Sequence, residues 1–489
     1  MTSRRHQPPA APPPGFWDRP EIVDALAARD MGAVVRNYRK WTGASQTDIS
    51  ILVGIPQPHV SELERGFRHV TALDLFERFA DGLGIPRQLL GLAERSDDGP
   101  LADGRDEHVA SSQREWQRTR RMLNQHRPEL TRLAAQLYPS SIRLADTGIL
   151  TPEEWRLDEP VDLGAIDLTL REAPLPLVTG RHEETRPLRP LVAPGRHYDK
   201  YHRAMRDLDR PRLFENRVCY RLLGVEGPRF TVQSGVTVGH MRYFDMIDVG
   251  EALAHEVARA SIDRDGNVRE DRCSWERLPF RRLVRDPFDL EAYPLMLSIS
   301  TLTIRRSRAG ATFLLLRRGA GQVAIAGGML SVMPTGVFQP ASILPAPESP
   351  DFDLWRNMMR EYSEEFLGNP EHDGSGDPID YANEEPFRTL DAARQAGKIR
   401  VYCLGAGIDA LNFVGDLFTV AVFDADVFDE VFDELVELNE EGTVASGPDR
   451  QQFTFGDSTI YDLLTTEPMA PSGAACLYLA WQHQALLLS

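Results

Sequence analysis

Glu361, Glu364 and Glu365 stand at positions i, i+3 and i+4 of a segment that reads as helix, so three carboxylates project from neighbouring positions on one face. Like charges so placed repel unless a cation or basic partner compensates, and a hard divalent ion such as Mg²⁺ would bridge them to a phosphate. A second concentration lies in residues 197–227, where Arg203, Arg206, Arg210, Arg212, Arg217 and Arg221 alternate with Tyr198, Tyr201 and Tyr220. Guanidinium forks beside aromatic planes suit a nucleotide or other phosphorylated ligand, and they equally suit salt bridges to an acidic domain. Glu440 and Glu441, in the loop sequence NEEG, could serve as a general base or as plain surface charge. No H-E-x-x-H or G-x-S-x-G sequence occurs, so zincin and serine-hydrolase chemistry have no carrier.

The elements that must hold these groups are legible in outline. Residues 1–20 are proline-rich and are expected to form a disordered tail. Residues 21–95 carry short helical patterns, and 96–195 are expected to be a linker and helical connector. Two helices are expected within 110–138, the second opening at Pro128, with Trp116, Leu123, Leu130, Leu133 and Leu137 inward. Residues 196–290 form a middle α/β region, with strands at 217–225 and 229–238 and a helix over 245–260. From 291 to 489 strands (297–305, 312–317, 418–423) mix with helices (351–367, 427–439, 473–487).

Composition bounds the function. The chain has 489 residues, 42% hydrophobic and 26% charged, as in ordinary globular proteins. It has no apolar run long enough for a membrane span, and its polar start is not a secretory signal. Its four cysteines form no C-x-x-C pair, which points to a reducing cytoplasm. Residues 341–489 hold 28 acidic against 7 basic side chains, while the first 340 are near neutrality. The last third therefore repels a phosphate backbone, and any nucleic-acid contact belongs elsewhere.

Residues 45–66 (SQTDISILVGIPQPHVSELERG) supply it. Ser45 is placed to cap a helix that opens with Gln46, and Asp48 sits where the helix dipole favours an acid. Ile49, Leu52 and Val53 form its apolar stripe. Gly54 ends it and Ile55 buries the turn. A second helix then begins near Pro56 or Gln57, with Val60 and Leu63 inward and Gln57, Pro58, His59, Ser61 and Glu62 outward. The pattern of Ser45, Gln46, Ile49, Gly54, Ile55, Ser61, Glu64, Arg65 and Gly66 resembles the helix-turn-helix of XRE-type (Cro/CI-like) transcriptional regulators. Residues 31–43 and 72–85 fit the flanking helices, and Ser50 stands where the family usually has Ala. The resemblance implies that residues 57–65 enter the major groove of double-stranded DNA. It makes Gln57, His59 and Glu62 candidates for base edges, within an outward set that includes Pro58 and Ser61. It makes Gln46, Arg36, Arg39, Lys40 and Arg68 candidates for phosphate contacts, and a homodimer is expected.

Residues 360–366 (REYSEEF) resemble the carboxy half of the Nudix box. The segment 331–340 resembles the loop before the Nudix helix, and 297–318 the opening hairpin of that fold. This resemblance implies that Glu361, Glu364 and Glu365 are metal ligands, that Mg²⁺ is a candidate cofactor, and that Gly336 and Arg360 shape and brace the loop. Three departures weaken the likeness: Gly336 precedes Arg360 by 24 residues where the family has 14, Phe352 replaces an upstream acid, and the trailing glycine is displaced to Gly368. The expected architecture is thus multidomain α+β: an all-α helix-turn-helix bundle followed by a Nudix-like α/β/α sandwich with a mixed sheet. The expected function is cytoplasmic transcription regulation with a nucleotide-like ligand sensed by the second part, rather than catalysis. A working Mg²⁺-dependent pyrophosphohydrolase carrying a DNA-binding domain is the alternative.

Overall fold

A computed structural model describes residues 12–13, 15–53, 55, 57–66, 70, 73–90, 92, 104–211, 214–233, 241–318, 328–341, 351–370, 379–433, 435, 442–445 and 452–489. The chain forms two compact units, residues 1–102 and 103–489.

The first unit is helical: α1 (Pro20–Ala27), α2 (Met31–Thr42), α3 (Gln46–Val53), α4 (Gln57–Arg65) and α5 (Leu73–Leu83). Local chemistry sets their ends. The Asp30 carboxylate accepts the Ala33 amide at 2.9 Å to open α2, and Gly43 closes it at φ 74°. Ser45 and Asp48 cap α3 reciprocally: the Asp48 amide donates to Ser45 Oγ at 3.1 Å, and the Ser45 amide to Asp48 Oδ2 at 2.7 Å. Ile49, Val53, Ile55, Val60 and Leu63 pack with Val34, Val35, Tyr38, Phe76 and Phe79 in one core. Phe16, Ile22 and Leu26 join the same core, so part of the expected tail is built into the domain.

The second unit is organised by a mixed sheet. The parallel strands Leu297–Ser307 and Gly415–Asp424 lie at its centre. The strand Ile399–Asp409 pairs antiparallel with 415–424, and Gly310–Phe313 turns back on 297–307. Alternation assigns the two faces. Phe418, Val420 and Val422 pack with Ala475, Cys476, Leu477 and Ala480 of the helix Pro471–Gln482. Leu417, Ala421 and Phe423 lie in the other core, with Trp355, Met358, Met359 and Tyr362 of the helix Leu354–Glu365. Both faces being covered, the central strands are buried along most of their length, the polar Ser298, Ser300, Thr301 and Thr303 included.

The sequence expectations diverge from this in two places. Residues 96–195 are more than a connector: after the helices Gly104–Gln125 and Arg127–Ala135, the strands Ile149–Leu150 and Arg156–Asp162 both pair with Ile399–Asp409. Residues 103–489 consequently cohere as one unit, where linker, middle and final regions were expected to be distinct. The strand 399–409 itself was not anticipated, because its glycines lower strand propensity. Gly405 takes φ 124° at a register shift in the pairing, a conformation that favours glycine.

Candidate functional site

In the first unit α4 is seated from three directions. Val60 and Leu63 bury its back. Gly32 of α2 lets the helices touch: a Cβ there would lie 2.0 Å from the Leu63 carbonyl oxygen. Ser50 Oγ donates to the Ile55 carbonyl at 2.6 Å, so the residue that departs from the usual alanine adds a hydrogen bond across the bend. α4 closes at Gly66, φ 78°.

Three of the five expected phosphate contacts, Arg36, Arg39 and Gln46, share Glu64 as an internal partner. Arg39 grips Glu64 through both carboxylate oxygens, at 2.6 and 2.7 Å, and donates from Nε to the Ala44 carbonyl at 3.0 Å. Gln46 Nε2 donates to Glu64 Oε2 at 2.5 Å, and Arg36 donates to the Glu64 main-chain oxygen. The Glu64 side chain is only 10% exposed, so this is a charge-assisted cluster with little solvent screening. Lys40 is exposed. Of the expected base-reading set, His59, Ser61 and Glu62 are partly buried and lie outside the apolar core, and Arg65 Nη2 donates to Ser61 Oγ at 2.8 Å. Gln57 and Pro58 open α4, but their side chains, like Gly54, Pro56 and Arg68, lie outside the described residues, as do Glu440 and Glu441.

The sequence reading placed Glu64 in the motif without its role. The signal was present: an acid on α4 spaced to meet the basic end of α2.

In the second unit two of the three glutamates, Glu361 and Glu365, meet adjacent residues of one strand, Gly336 and Thr335. Glu365 is buried, and its Oε1 accepts the Thr335 amide at 2.7 Å. The Glu361 carboxylate lies against Gly336, where a Cβ would stand 2.0 Å from it. Glu364 is partly exposed. Among the described residues, no group of three or more His, Cys, Asp or Glu side chains is arranged to hold a metal ion. Arg360 is 4% exposed and ties its surroundings together, donating to Gln339 O (2.7 Å), Asn357 Oδ1 (2.9 Å) and Tyr381 OH (2.7 Å). It joins the segment after Gly336 to the helix.

The Arg/Tyr concentration is spent mostly on structure. Arg203 pairs with Asp199 and Arg206 with Asp207, while buried Arg221 donates to the Pro174, Leu290 and Glu291 carbonyls. These partners lie between Pro174 and Glu291, not in the acidic last third. Sequence reasoning missed a buried triad nearby. A π-helical turn, Ile247–Glu251, directs Glu251 inward, where Arg120 Nη1 reaches it at 2.5 Å and Arg127 Nη2 at 3.0 Å. Burial opposes the charged carboxylate, but Arg127 and Arg120 outweigh it and hold Glu251 below the ordinary carboxylate range. The signal that could have found it was the spacing of Glu251 among Ile247, Val249, Leu253, Ala254 and Ala258, which puts the acid on the apolar side of the helix.

No helix among the described residues is long and apolar enough to cross a membrane. No curated protein matches the chain. Against protein-family models, residues 30–92, which span α2 to α5, match the family described as a helix-turn-helix domain.

Proposed function

We propose that this chain is an XRE-type DNA-binding transcriptional regulator, acting as a cytoplasmic homodimer, whose larger unit takes a nucleotide-like ligand. The observation that carries the reading is the seat of α4. Its apolar side is buried on α2 and its carboxy end is fixed by the Glu64 cluster, while His59, Ser61 and Glu62 stand outside the core. Such a helix is presented as a rigid rod, as major-groove reading requires. Lys40 and the Arg36–Arg39–Gln46 group flank it as phosphate contacts, which add salt-dependent affinity without sequence preference. The larger unit would act by binding its ligand more tightly in one state, shifting operator affinity by about 1–3 kcal/mol.

The test begins with operator selection from genomic DNA by the full chain. Gln57→Ala with Glu62→Ala should weaken operator binding by about 1–3 kcal/mol per lost base contact and leave random-sequence binding nearly unchanged. Equal loss on both DNAs would exclude α4 as the reader. Nucleoside diphosphate compounds should change operator affinity and release no product with Mg²⁺. Product formation abolished by Glu364→Gln would instead establish the hydrolase.

A further inference from the structure

A small sheet in the second unit has an open edge. Its three strands run in the order Asp167–Arg171, Arg229–Gln233, Leu222–Glu226, and 167–171 pairs, among the described residues, only with 229–233. Such an edge presents unpaired amides and carbonyls along one side. The sequence of this edge, Asp-Leu-Thr-Leu-Arg, alternates cleanly: Asp167, Thr169 and Arg171 are exposed, while Leu168 and Leu170 pack on the core. It is also self-complementary. An antiparallel copy registered on Thr169 sets each Asp167 opposite the other copy's Arg171, and each Leu168 opposite its Leu170. Charges meet on the outer face and leucines on the inner one. Just past the strand, Leu175 and Leu177 are 66% and 81% exposed. They are tethered by Arg221, which holds the Pro174 carbonyl at 3.0 Å, and by the Val178 amide, which donates to Ala292 O at 2.9 Å. Apolar side chains fixed in solvent beside an open edge mark a surface that is covered in use.

We propose that a second copy of this chain docks here, strand 167–171 pairing antiparallel with itself about a two-fold axis at Thr169. A two-fold contact uses the same patch on both molecules, as this self-complementary edge requires. The existing pairs of Asp167 with Arg229 and of Arg171 with Glu291 are about half exposed, and each carboxylate and guanidinium can take a further partner across the edge. The proposal rests on the homodimer named above and says where its contact lies.

Sedimentation equilibrium of the full chain across the micromolar range tests it. The wild type should be a dimer. Arg171→Asp sets acid against acid at both ends of the pairing and should raise the dissociation constant at least tenfold. Asp167→Arg added to Arg171→Asp restores complementarity and should recover the dimer, whereas Glu291→Gln should leave it intact. A wild type monomeric at every concentration, or a dimer indifferent to Arg171→Asp, overturns the proposal. Should the reversed variants fail to fold by circular dichroism, amide exchange of the wild type decides: protection over 167–171 must fall on dilution, and protection independent of concentration overturns the proposal. Operator binding measured alongside separates the two readings: a dimer indifferent to Arg171→Asp refutes this contact alone, whereas a monomer that binds operator refutes the homodimer too and leaves only the DNA-binding reading standing.

Discussion

Gly32→Ala isolates the seating of α4. In an ordinary helix this change stabilises by about 1 kcal/mol, because alanine is the better helix former. Here the added Cβ would sit 2.0 Å from the Leu63 carbonyl oxygen and 2.9 Å from its carbon. Both are main-chain atoms that no side-chain rotation can clear, so α4 must retreat by about 1 Å to reach even a tight contact. Overpacking of this kind costs about 1–3 kcal/mol, which leaves a net destabilisation of up to about 2 kcal/mol after the helix gain. The functional loss should be larger. A hydrogen bond stretched by about 1 Å from its usual 2.9 Å is no longer one, so operator binding should lose most of its base discrimination while salt-dependent affinity persists. Amide exchange of the intact chain, read over residues 31–66, measures the first effect and operator binding against random DNA the second. Gly82→Ala, whose Cβ would meet the Leu52 oxygen at 2.1 Å, should destabilise the domain without moving α4 directly. An increase in protection for Gly32→Ala, the ordinary helical outcome, would refute the close approach of α2 and α4.

Three further results are expected. Glu251→Gln leaves buried Arg127 without the carboxylate it grips and Arg120 with Asp209 alone, and should cost about 3–5 kcal/mol in the larger unit. Because the folded carboxyl titrates below its unfolded value, its contribution is full above the ordinary carboxylate pKa and is lost as pH falls through the folded one. The variant should therefore lack part of the wild-type acid transition in urea denaturation at graded pH. Asp416 behaves oppositely: burial pushes it up to about 7 against the pull of Ser300 and Ser472. The folded state then holds a proton that the unfolded state has lost, so stability falls as pH rises from about 4 to about 7. Asp416→Asn should gain about 2–4 kcal/mol at pH 8 and little at pH 4, and the same gain at both would refute this account. Glu64→Gln removes the charge that Arg39 grips and should cost about 1.5–3 kcal/mol of helical-domain stability, visible as faster exchange in α2 and α4.

The helix-turn-helix was legible because its information is local. Caps, the closing glycines and apolar spacing of three and four act within a turn or two of the residues that carry them, so Ser45, Asp48, Ile49, Val60 and Leu63 could be placed before any tertiary contact was known. The paired carboxylate face of 361–365 was visible for the same reason. Periodicity fixes which residues share a helix face, but not what that face meets. Only the fold turned Glu365 toward the Thr335 amide and set Glu361 against Gly336. Only the fold gathered Arg36, Arg39 and Gln46 onto Glu64, at sequence separations of 28, 25 and 18. The same holds for the strands at 149–162, which cross some 250 residues to pair with 399–409. Such contacts form where burial of distant apolar surface outweighs the entropy of closing long loops, a balance settled by the whole chain and written in no short segment of it.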